Sequence, residues 1–287
     1  MKHYRRKKSR SSLKIAGLVG FLLVCAGGLA ATALHYHGKA MPDAYGCYKG
    51  VRGTESIVML DASEPRFNAE QRRSLLTWFE ELYDGLNFGD RLQIFTTEGD
   101  QVASVIAPRL TLCGAAQSSQ ELESIGALPA EDGYLRRERE RRLETVFRPA
   151  VEAMLALEPA AERLQAAQSP VAEMLQAISR RPEVRAGSRL YVLSDLIQSS
   201  DLARFCTVKN AMPRFARFKQ RPAYARVRPD DLAGVEVTLL MLQRQGYGTA
   251  ALPYCRDEDE IYAFWQDYFI DAGAVPPTRI RIRNGLL

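Results

Sequence analysis

A chain of 287 residues with 46% apolar side chains can bury one large core or two small ones. Its formal charge of +5 is a local effect, because residues 1–40 carry eight of the 39 Lys and Arg and no acid, leaving 31 basic against 34 acidic residues beyond them. That balance removes the case for a nucleic-acid partner, and the placement of all three histidines (His3, His35 and His37) before residue 40 removes Ser-His-Asp catalysis, Cys-His catalysis and histidine-ligated metals from the rest of the chain.

Residues 1–14 form a basic tail, and residues 15–34 follow without a charge. Twenty helical residues rise about 30 Å, enough to cross a hydrocarbon core. The basic cluster in front predicts a cytoplasmic N-terminus, which sends everything from about residue 40 to the periplasmic or extracellular side of the cell (inner) membrane. A cleaved signal peptide is the alternative, with Ala31, Thr32 and Ala33 as its cleavage site, but its apolar core normally spans only ~7–15 residues. Residues 35–54, broken by Gly38, Pro42, Gly46, Gly50 and Gly53, read as a linker ahead of a domain at 55–287. Cys47, Cys113, Cys206 and Cys255 make an even four outside the apolar stretch, none with C-x-x-C spacing, so two disulfides are expected in an oxidising compartment.

The domain opens with Ile57, Val58, Met59 and Leu60 running into Asp61 and Ser63. A continuous apolar run of this length suits a strand at 56–61 buried on both faces, as in a parallel sheet flanked by helices. The two polar residues then stand at the carboxyl end, where open α/β sheets bind ligands. A helix is predicted over 68–85, with Leu75, Leu76, Phe79, Leu82 and Tyr83 at helical spacing and Asn68 with Gln71 as a capping box. Residues 91–97 read as a strand and 101–107 as the second arm of a hairpin, with a loop over 108–133. Residues 134–167 have helical composition, with Arg136, Arg137, Arg139, Arg141 and Arg142 interleaved with glutamates. That pattern fits a solvated helix face better than a basic docking patch. Ser169 followed by Pro170 reads as an N-cap and first turn. A second apolar strand at 189–195 delivers Asp195. Residues 200–233 are basic and broken by prolines, the strand 235–242 is apolar, and the helix at 258–272 is aromatic-rich, with Trp265 and Tyr268 expected in the core. A last strand at 278–283 alternates Ile with Arg, as an edge would.

Strands alternating with helices predict a doubly wound α/β, Rossmann-like architecture, mostly parallel with one antiparallel edge strand. The order of strand, Asp-x-Ser, helix, hairpin, helix, Ser, helix, strand and Asp resembles the von Willebrand factor A domain over about residues 55–283. In that family a metal-ion-dependent adhesion site is built from Asp-x-Ser-x-Ser after the first strand, a Thr before a central helix and an Asp ending the fourth strand. The resemblance assigns Asp61, Ser63, Ser169 and Asp195 to a Mg²⁺ site, Ser169 keeping the hydroxyl of the family's Thr. Pro65 stands where the motif's second Ser would be, so one oxygen ligand is missing and the site is degenerate.

The same topology pairs the cysteines. Cys206 and Cys255 follow neighbouring strands and emerge on the carboxyl rim, whereas Cys47 and Cys113 fall towards the opposite end, so Cys47–Cys113 and Cys206–Cys255 are expected. The function implied is a membrane-anchored protein-interaction module whose partner is itself membrane-associated, with Mg²⁺ optional. A structural subunit of an envelope complex without metal is the alternative. A haloacid-dehalogenase-like phosphohydrolase using Asp61 is a weaker one, because Ser63 stands where its general acid would be.

Overall fold

The computed structural model describes residues 10–62, 67–97, 107–156, 169–207, 211–243, 255 and 257–282, and within the first helix the side chains of 17–30 only. That helix, α1 (Arg10–Tyr36), contains the apolar stretch expected at 15–34. Its described side chains are all exposed, including Leu18, Val19, Phe21, Leu22, Leu23, Val24 and Leu29. Among the described residues no helix is long and apolar enough to cross a membrane.

After it come β1 (Glu55–Leu60), α2 (Ala69–Asp84), β2 (Arg91–Thr96), β3 (Leu110–Cys113), α3 (Ser119–Ser124) and α4 (Asp132–Arg142). A π-helical turn, Leu143–Phe147, joins α4 to α5 (Arg148–Leu155). Then follow α6 (Val171–Ser179), β4 (Arg189–Ser194), α7 (Phe215–Phe218), α8 (Pro222–Val227), β5 (Glu236–Leu242), α9 (Glu258–Asp271) and β6 (Thr278–Ile282). The described strands form one sheet in the order β3-β2-β1-β4-β5-β6, parallel throughout except for β3 at one edge. The architecture is therefore mixed α/β, with helices on both faces.

The apolar run of β1 serves both faces. Ile57 and Met59 join a core under α6, α8 and α9, with Val171, Leu175, Ile178, Tyr224, Trp265 and Tyr268. Val58 and Leu60 point the other way, to Leu75, Phe79 and Tyr83 of α2 and Val151 and Leu155 of α5. Strand alternation explains why no polar residue interrupts the run. Each such side chain, fully withdrawn from water, stabilises the fold by about 1.5–3 kcal/mol. The α2 capping box forms as expected, with Asn68 accepting from the Gln71 amide and Gln71 returning the bond to the Asn68 amide.

Several expectations need correction. The second hairpin arm is β3, not 101–107, of which 101–106 lie outside the described residues. Register explains the difference: Cys113 faces Arg91 and Leu110 faces Ile94, an alignment held by burial of Leu112 and by the Cys47–Cys113 bridge. The expected loop over 108–133 accordingly contains β3 and α3, the latter begun by a capping box between Ser118 and Glu121. The helix expected over 134–167 runs from Asp132 to Leu155, while 157–168 lie outside the described residues.

The arginines of α4 divide in two. Arg139 donates to the carbonyls of Tyr83 (3.2 Å) and Asp84 (2.6 Å), capping the end of α2, and Arg142 donates to the carbonyls of Tyr45 and Cys113 (3.4 Å). Arg139 thus clamps the end of α2, where the last carbonyls of a helix run out of helical partners, and Arg142 ties the end of β3 to the segment at Tyr45. The segment expected as a linker is fastened in the same way. Ala40 pairs with Gly126 through its amide (3.2 Å), Asp43 turns the chain by accepting from the amides of Tyr45 and Cys47, and Tyr48 packs edge-on to Phe88.

Candidate functional site

Because β1 and β4 are parallel neighbours, Asp61 and Asp195 each stand one residue beyond a strand's carboxyl end, on the same rim. The Asp61 amide donates to the Leu193 carbonyl at 2.8 Å, extending the ladder by one step. Period-two alternation then turns Asp61 to the α6 side of the sheet, with Ile57 and Met59. There its carboxylate collects hydroxyls from three separate segments. Ser169 donates to Oδ2 at 2.7 Å, Ser194 to Oδ2 at 2.6 Å, and Thr97 to Oδ1 at 3.3 Å. Asp61 and Ser169 are 3% and 2% exposed. A buried carboxylate is tolerated at such depth only when charge-assisted hydrogen bonds replace its water.

Ser169 is not the N-cap of α6. The cap position is Pro170, with no side-chain bond, and the role is filled from outside by Gln198, whose Oε1 accepts from the Ala172 amide at 2.8 Å. Ser169 is held instead by a two-way backbone pairing with Ser199, at 2.8 Å each way, which leaves its hydroxyl for Asp61. The Gln198 amide group donates to Glu173 (2.8 Å) and to Ser200 (2.9 Å), and Ser200 donates to the other Glu173 oxygen. This second network lashes the loop after β4 onto the first turn of α6.

Asp195 lies at the same end, 5% exposed, and its Oδ1 accepts from the Ile197 amide at 2.8 Å. That bond closes the turn containing Leu196, whose φ of 60° is left-handed for a residue with a branched side chain. Trp265 fixes the turn by donating from Nε1 to the Leu196 carbonyl at 2.8 Å. Ser63 and Pro65 lie outside the described residues. Of the four expected site residues, then, Asp61 and Ser169 are in direct contact, and Asp195 is on the adjoining strand end.

The sequence reading missed Ser194 and Thr97. Both are polar residues closing apolar strands that flank β1, and the signal for them becomes readable only once the strand order is known.

Carboxylate and hydroxyl oxygens are the donor types Mg²⁺ prefers. The arrangement departs from a Mg²⁺ shell in two respects. Three hydroxyl protons are directed at Asp61, and an ion that retains several waters needs solvent contact, whereas Asp61, Ser169 and Asp195 are all buried. No buried side-chain oxygen of these residues or of Ser194 lacks a partner. Among the described residues no group of three or more His, Cys, Asp or Glu could hold a metal ion.

The cysteines pair as Cys47–Cys113 and Cys206–Cys255, with Cα atoms 5.1 Å apart in both. The second bridge binds the loop after β4 to the segment before α9 and so closes the rim covalently.

No family model and no curated protein matches the chain. Among solved structures, the crystal structure of an aerotolerance-related membrane protein from Bacteroides fragilis, carrying multiple mutations to serines, is similar to it. The likeness covers 79% of this chain and 92% of that one at 12% identity, with a TM-score of 0.33. Overlap that loose carries no conclusion about fold or function.

Proposed function

We propose that the chain is a membrane-anchored protein-interaction module of the von Willebrand factor A type, facing the exported side and engaging a membrane-associated protein partner through the carboxyl rim without a bound metal ion. The observation that carries this reading is α1. Seven large apolar side chains along its described part meet no core and stand exposed, and an apolar helix face left in water is unfavourable by about 25 cal/mol per Å². A bilayer removes that cost, and the two disulfides fit an oxidising compartment beyond it.

Catalysis is disfavoured because Asp61 is buried and accepts three hydroxyl bonds, which lowers its reactivity as a nucleophile. The surface of the rim, by contrast, offers Asp201 and Arg204, whose side chains are 86% and 48% exposed and only loosely paired at 3.5 Å.

A photo-crosslinker placed at Asp201 in membranes is expected to give one discrete protein adduct that persists in EDTA. The same group at Glu236, on the opposite end of the sheet, is expected to give none. Release of the chain from membranes by alkaline carbonate would defeat the anchor. Equal crosslinking from both positions would defeat the rim as the docking face, and loss of the adduct in EDTA would restore the metal.

A further inference from the structure

The amino end of the sheet carries a cavity of about 310 Å³, walled by Tyr48, Val51, Arg52, Arg91, Glu183 and Arg185. Arg91 is neutralised within it, donating to Glu55 at 2.8 Å and lying 3.5 Å from Glu183. Arg52 and Arg185 are exposed and have no ion pair or side-chain hydrogen bond among the described residues. Arg52 and Arg185 outnumber the carboxylates that Arg91 leaves unneutralised on this concavity, which favours an anion there, and a guanidinium's planar fork matches a phosphate. Glu183 Oε2 is buried beside them without a partner. Its last torsion is soft, so a small rotation offers this oxygen to a hydroxyl donor.

The chain path keeps the cavity wall within six residues of the end of α1, because Pro42 is bridged to Tyr48. From Tyr36 only four residues lead to Ala40, a span of at most about 14 Å, and Ala40 is pinned to Gly126. The chain then runs through the Cys47 bridge into Tyr48 and Arg52, with Lys39 and Lys49 exposed along the way.

We propose that this cavity holds the headgroup of an anionic phospholipid, phosphatidylglycerol, with the phosphate between Arg52 and Arg185 and a glycerol hydroxyl donating to Glu183. The proposal rests on the membrane reading of α1. Its consequence is orientation: with the amino end of the sheet on the bilayer, the carboxyl rim is held away from it.

The test uses the full chain in phosphatidylcholine vesicles doped with phosphatidylglycerol bearing a photoreactive headgroup, with labelled peptides mapped by mass spectrometry. Label is expected on peptides spanning 47–52 and 182–185, falling roughly tenfold in Arg52→Gln/Arg185→Gln. That variant is expected to float with the vesicles and to melt at the wild-type temperature. Flotation with label elsewhere, or label undiminished in the variant, overturns the headgroup site while leaving the anchor intact. Failure to float overturns the anchor and the site with it. Full competition by soluble glycerol phosphate would assign the cavity to a free anion and overturn the lipid.

Discussion

At the carboxyl end of the sheet the polar groups are matched to one another, whereas at the amino end two arginines are left over once Arg91 has met Glu55 and Glu183. Asp61 accepts hydrogen bonds from Ser169, Ser194 and Thr97, and Glu173 accepts them from Gln198 and Ser200, so these buried acids are dressed by hydroxyl and amide donors. Around the amino-end cavity, Glu55 and Glu183 are engaged by Arg91, and Arg52 and Arg185 have no ion pair among the described residues. A satisfied, buried network is a scaffold, since it fixes three distant segments and has little left to offer a ligand. Uncompensated charge on a concave surface is where binding free energy remains to be gained. The end where open α/β sheets commonly bind ligands is thus the more closed of the two.

The largest expected effects test the covalent closure of each end. The bridges join residues 66 and 49 positions apart, and loop-closure entropy depends on that separation only logarithmically, so each contributes about 4 kcal/mol. Urea unfolding of Cys47→Ala/Cys113→Ala and of Cys206→Ala/Cys255→Ala is expected to show similar losses. A bridge whose removal leaves the midpoint unmoved would mean that its end is held by packing alone.

Next in size is the contrast between buried and exposed charge. Asp61→Ala strands the Ser169 and Ser194 hydroxyls and is expected to cost about 3 kcal/mol, with Asp61→Asn near half of that. Arg52→Gln at the other end is expected to stay within about 0.5 kcal/mol. Equal losses at the two sites, read from the same unfolding curves, would erase the distinction drawn between them.

The smallest effect at neutral pH concerns the aromatic layer between the ends. Burial raises the Tyr268 phenol well above its ordinary value, and its hydroxyl donates to the Val227 carbonyl at 2.5 Å. Tyr224 is raised as well, by burial and then by its bond to Asp271. Folding therefore favours the neutral phenols. Their contribution is whole below the ordinary tyrosine range near pH 10 and is lost as pH climbs from there through the raised folded values. The melting temperature is expected to hold up to about pH 10 and to fall beyond it, less steeply in Tyr268→Phe. A wild-type melting curve unaffected by that rise would show that these groups titrate alike in both states.

Much of the scaffold was legible because it is written in local pattern. The unbroken apolar run of β1, the Asn68 and Gln71 pair and the aromatic spacing of α9 each declare an element without knowledge of its neighbours. The disulfides followed from strand adjacency. What stayed hidden depends on contacts between remote segments. Ser169 looked like a cap because serine before proline usually is one, and only the Ser199 pairing and the Gln198 side chain free it for Asp61. The amino-end cavity is assembled from 47–52, Arg91 and 182–185, none of which carries a motif.

The Cys47–Cys113 bridge also decides how the molecule takes mechanical tension. A pull arriving along α1 meets the body first at the Ala40 pairing and then at Cys47, where a covalent shortcut passes it 66 positions ahead to the end of β3. The stretch between Cys47 and β1 is spared, so the central strand is not peeled from its neighbours one ladder bond at a time. Tugged from the helix, the sheet is loaded through its edge while the strand bearing Asp61 keeps its register.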